Sequence, residues 1–226
     1  MKKQILLLFL LYSIVAFSQK KEMVDNFWKG NYDKTIEIGK QILQSEPNDF
    51  ETILLIARAE DEKGNFKNAI PYLESAKKMM SEDWQKSWAF IELAKNSFGT
   101  GKLDDAKLFY NEALKVKGTK NSEKELKKFG MLTGLDEYYK NWKIRETQNI
   151  IFHFENSINE NEIERITKTR QIAFEQINAF FNSKLPKKID FFVWNLNESY
   201  NQILNTNLGF SNPVFCISHN RLNQTP

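Results

Sequence analysis

Cysteine is nearly missing from this chain: Cys216 stands alone among 226 residues, so no intramolecular disulfide framework can form and stability has to come from a buried core. Histidine is almost as scarce, with only His153 and His219. His153 has no second ligand at a usable spacing and reads as a structural histidine, while His219 sits in a polar tail. Cys216 lies in an apolar strand with no general base assigned to it. No catalytic, cofactor-binding or metal-binding residue is therefore assigned. An excess of either charge is lacking too: 32 basic residues face 29 acidic ones. Such a balanced surface excludes nucleic acid as an expected partner, because that affinity rests on clustered cations releasing counterions. No glycine-rich phosphate cradle occurs.

Long apolar runs are absent with one exception. Lys2 and Lys3 precede the almost unbroken apolar stretch Ile5 to Phe17, and Ala16-Phe17-Ser18 supplies small residues at the positions a signal peptidase reads. The stretch is too short to span a bilayer, which takes roughly 20 apolar residues, and Lys20 and Lys21 close it. Residues 1–18 are expected to be a signal peptide cleaved before Gln19. The mature chain would then be exported, to the periplasm, the cell surface or the medium, with no stable membrane span.

Aromatic residues are plentiful, with 18 Phe, 5 Trp and 7 Tyr, enough to build a core without disulfides. Their placement is periodic. Gly30-Asn31-Tyr32, Gly64-Asn65-Phe66 and Gly101-Lys102-Leu103 recur at intervals of 34 (64 − 30) and 37 (101 − 64) residues. Small or apolar residues follow each tripeptide at matched offsets: Thr35, Gly39 and Ile42; Ala69, Leu73 and Ala76; Ala106, Tyr110 and Ala113. Before the second and third glycines, Ile53, Ile56 and Ala57 match Phe90, Leu93 and Ala94. Paired antiparallel helices approach closely only where facing residues are small, and a glycine lets the chain leave the first helix in a left-handed conformation. The expected packing positions are Gly30, Ala57, Gly64, Ala69, Ala76, Ala94, Gly101, Ala106 and Ala113.

This pattern over 19–118 resembles the tetratricopeptide repeat, with Pro47 where that family places its terminal proline. Thr35, Gly39 and the insertion at Ser81 to Lys86 depart from the family pattern. The resemblance implies a helical-hairpin solenoid whose concave face holds a protein or peptide partner. A repeat array needs a cap, and Leu126, Phe129, Leu132 and Leu135 within 119–141 are spaced as one, with a bend allowed at Gly130 and Gly134.

From Trp142 the period changes. Ile150, Phe152 and Phe154 alternate with Ile151, His153 and Glu155 as in a strand, and Asn159 caps a helix with Ile163, Ile166, Ala173, Ile177 and Phe180 on one face. Ile189 to Trp194 predicts a strand in the sheet interior, because it is almost continuously apolar. Val214 to Ser218 predicts a third short strand. The order over 142–226 resembles the opening lobe of gluzincin, or peptidase MA-like, metallopeptidases. That resemblance implies that Val214, Phe215, Cys216 and Ile217 edge a substrate cleft. It also implies that a zinc-binding His-Glu-x-x-His helix would follow beyond Pro226, so zinc would enter only with a downstream segment. The expected fold is α+β: an all-α repeat solenoid followed by an incomplete αβ lobe. The expected function is an exported peptide- or protein-binding scaffold, the alternative being the N-terminal part of an exported zinc peptidase.

Overall fold

A computed structural model describes residues 18–184 and 188–195, together with the backbone of 215–219. The expected leader, apart from Ser18, and Val214 of the expected edge strand lie outside the described residues. The architecture is α+β and mainly helical, and the chain divides into two compact units between Leu126 and Lys127.

The first unit is a series of helical hairpins. Helix α1 (18–28) pairs with α2 (Tyr32–Ser45), α3 (Phe50–Glu62) with α4 (Phe66–Met79), and α5 (Asp83–Gly99) with α6 (Leu103–Leu114). Each hairpin turns in the same way. Gly30, Gly64 and Gly101 adopt φ of 78°, 80° and 76°, a region glycine enters without steric cost. Each glycine N–H bonds the carbonyl three residues back, and the next N–H bonds five back: Asn31 to Asn26 at 2.9 Å, Asn65 to Glu60 at 2.9 Å, Lys102 to Ser97 at 2.8 Å. These paired bonds satisfy carbonyls that a helix end leaves orphaned. Helix starts are fixed as locally: Asp49 accepts from the Thr52 N–H at 3.0 Å, and Glu82 and Gln85 form a reciprocal capping box.

Small residues set the helix spacing. Ala57, Ala69, Ala76, Ala94, Ala106 and Ala113 are all buried. Phe50, Ile53, Leu54 and Leu73 fill the space between them, and a neighbouring cluster gathers Met23, Phe27, Ile36, Ile42 and Ile56. Gly39 belongs to the same logic: a Cβ there would lie 2.6 Å from Met23 Cε and 2.7 Å from Ile56 Cγ1. The first hairpin thus departs from the repeat pattern because larger neighbours occupy the space. Helix α7 (Lys120–Thr133) begins in this unit, where the Ser122 and Ser87 hydroxyls share a buried 3.0 Å hydrogen bond.

In the second unit α7 ends at Gly134, φ 75°, with the same five-back bond from Leu135 to Gly130 at 3.0 Å. A 3-10 turn (Glu137–Tyr139) follows, so the segment Ser122 to Tyr139 is a helix, a turn and a second short helix. The sheet has the order β1 (Lys143–Glu146), β2 (Ile150–Phe154), β3 (Ile189–Trp194), β4 (Phe215–His219). Strands β2 and β3 are parallel and joined by α8 (Glu160–Phe180), while β1 and β4 run antiparallel to their neighbours. Ile150, Phe152, Phe154, Ile189 and Val193 pack with Ile163 and Ile166 of α8 on one face. On the other, Phe192 and Trp194 pack with Met131, Tyr139 and Trp142. Coverage of both faces explains why β3 is apolar apart from Asp190. Strand β1 has three charged residues in four, and the Arg145 guanidinium donates to the Ile144 carbonyl at 3.0 Å, a short charged edge that resists pairing with other chains.

Candidate partner-binding face

Arg58 and Lys95 occupy the same place in successive hairpins, six residues before the turn glycine (64 − 58 and 101 − 95). Between them on α5 lies Glu92, whose side chain is 1% exposed. Its Oε1 stands 3.0 Å from Arg58 Nε, and its Oε2 stands 3.5 Å from Lys95 Nζ. Lys95 also bonds Glu125 of α7 at 3.0 Å and stands 3.9 Å from Glu62 of α3. One lysine therefore ties α3, α5 and the first half of α7 into a row. Burial opposes the Lys95 charge, but Glu92 and Glu125 outweigh it and hold its pKa above the ordinary lysine value. The ammonium is a fixed positive charge at any working pH.

Aromatic rings flank the same row. The Arg58 guanidinium lies 4.9 Å from the Phe27 ring centre of α1 and 4.9 Å from the Trp88 ring centre of α5, in cation–π contact with both. The Arg58 side chain keeps 15% of its surface exposed while its Nε stands against Glu92. Beside Phe27, in edge contact with it, Trp28 is 72% exposed, the most exposed of the described tryptophans, and Val24 one turn earlier is exposed as well. The odd-numbered helices thus carry an exposed indole beside a mostly buried guanidinium and lysine–glutamate network. Ring faces plus a planar fork suit another chain's apolar and carboxylate groups.

The packing residues expected from sequence lie elsewhere. The six alanines are buried inside and between hairpins, and Gly30, Gly64 and Gly101 form the turns. Arg58, Glu92 and Lys95 were not singled out by sequence reasoning. The legible signal was a cation at one repeat position twice over; the glutamate between them shows no periodicity.

In the second unit His153 Nε2 lies 2.7 Å from Asp190 Oδ1, and its ring stacks on Phe192 at 4.4 Å. A cleft of about 460 Å³ is lined by Arg145, Glu160, Ile163, Glu164, Thr167 and Lys168. Hydrogen bonds from Lys143 and Arg145 hold Glu160 below the usual carboxylate range, so it is an ionised helix-start residue and a poor proton donor. The β4 register sets Cys216 opposite Val193 and His219 opposite Asp190. Among the described residues no group of three or more His, Cys, Asp or Glu side chains could hold a metal ion. The zinc implied by the metallopeptidase resemblance has no fitting ligand set there, and no chemical step is derived through it. No described helix is long and apolar enough to cross a membrane.

Compared with protein-family models and with curated proteins, the chain matches none. Its class rests on its own geometry: a helical-repeat array followed by a small mixed sheet.

Proposed function

We propose that this chain is an exported binding module of the tetratricopeptide-repeat kind, in which the odd-numbered helices hold a protein or peptide partner. The observation that carries the reading is the Arg58 guanidinium held against the Phe27 and Trp88 rings, beside the exposed Trp28. Fixing a planar cation in advance reduces the entropy lost when a partner docks. The test is selection of peptides from a random library against the full chain. Trp28→Ala should weaken the selected binders at least about tenfold, as for an aromatic contact at the centre of an interface. Leu108→Ala, exposed on the even-numbered helix α6, should leave them unchanged. Equal loss with both variants, or with neither, would sink the assignment of the face. Export is tested by sequencing the mature N-terminus, expected at Gln19.

A second reading, the N-terminal part of an exported zinc peptidase, draws support from β4, an antiparallel strand at the sheet edge after a parallel strand–helix–strand unit. Such an edge can hold a peptide through backbone hydrogen bonds. It requires the reading frame to continue past the Pro226 codon into His-Glu-x-x-His; a stop codon there removes it.

A further inference from the structure

The joint between the second and third hairpins buries more carboxylate than its contacts satisfy. Asp61, in the last turn of α3, accepts a 2.7 Å hydrogen bond on Oδ1 from Asn96 Nδ2 of α5, and the same nitrogen donates to the Phe66 carbonyl of α4 at 2.9 Å. One amide therefore ties three helices. The second oxygen, Asp61 Oδ2, is buried without a hydrogen-bond partner, and neither Glu92 oxygen on α5 has a well-aligned donor. The charged groups that act on Asp61 are Glu62 on its own helix and Glu92 and Lys95 on α5; Arg58, one turn earlier on α3, stands against Glu92, and Glu125 of α7 against Lys95.

We propose that Asp61 is a proton-operated latch at this joint: in its protonated form α3, α4 and α5 close on Asn96, and its ionisation loosens them. An ionised Asp61 would place a charged oxygen with no donor in a buried interface that already holds Glu92, and a charge left unpaired in such a place is costly. A neutral carboxyl lowers that cost, since an unpaired hydroxyl is less costly to bury than an unpaired charge, and keeps the Asn96 bond. Burial is the main influence, with Glu92 and Glu62 adding to it and the Asn96 bond and Lys95 opposing, and together they push the carboxyl from 3.8 up to about 7. Below the unfolded value both states are protonated. As pH rises from there towards the folded value, the folded chain keeps a proton that the unfolded chain has released, so stability falls; above the folded value it levels off. The latch acts within the repeat array and does not depend on whether the face binds a partner.

The test is urea denaturation of the full chain and of Asp61→Asn between about pH 5 and about pH 8.5, since an asparagine keeps the acceptor but cannot ionise. The ratio of wild-type to variant folding constants should fall about tenfold per pH unit up to about pH 7 and then hold steady. Taking the ratio cancels whatever titrates alike in both chains. A ratio independent of pH would overturn the proposal. Should Asp61→Asn fail to fold, carbon NMR of the Asp61 carboxyl in the wild type decides, and titration near the ordinary aspartate value refutes the latch. Deuterium uptake in α3 and α5, corrected for intrinsic exchange, should rise between about pH 6 and about pH 8. Unchanged uptake would show that ionisation does not loosen the joint.

Discussion

Ala57 has no exposed surface and lies in a core cluster with Ala69, Ala76 and Ala89, where α3 meets its neighbours. Ala57→Leu is expected to destabilise the chain by roughly 1 to 3 kcal/mol through overpacking, read as a lower midpoint in urea with an unchanged slope. Gly99 shows the same economy of space, since a Cβ there would come within 2.3 Å of the Phe66 ring. An unchanged midpoint for Ala57→Leu would mean that the helices are not packed as closely as their alanines indicate.

Between elements, the Arg58–Glu92–Lys95 row fixes how successive hairpins register. A buried ion pair is a weak source of net stability, yet removing one partner strands the other. Glu92→Ala leaves Arg58 without its carboxylate, while Lys95 keeps Glu125, and should cost roughly 3 to 5 kcal/mol, whereas replacing Arg58 and Glu92 together with Met and Leu should cost far less. Equal losses from the single and double changes, measured in urea, would show that the row carries no coupling. Much at this scale was legible in advance. The glycine tripeptides marked the hairpin turns because left-handed backbone selects glycine, and the alternation at Ile150 to Phe154 marked β2 because a half-buried strand alternates. Strand β1 was not legible: Lys143, Arg145 and Glu146 lie at a charged edge, so no core imposes a period on it. Nor was the Glu92 cluster, because a charged residue gives the same signal in sequence whether it faces solvent or a buried partner 34 positions away (92 − 58).

At the scale of the molecule, the sequence carries two compact units of different construction. In the first, alanines and glycines set the hairpin packing, while the recognition proposed above centres on the exposed Trp28, with Arg58 serving both the packing and the proposed face. Where the two roles fall to different residues, a repeat array can change partners without changing its fold. The most direct measurement of this account places a photo-crosslinking amino acid at position 28 or at position 108 of the full chain in its native cell. The account predicts a discrete crosslinked partner from position 28 and none from position 108. Products from position 108 alone would contradict it.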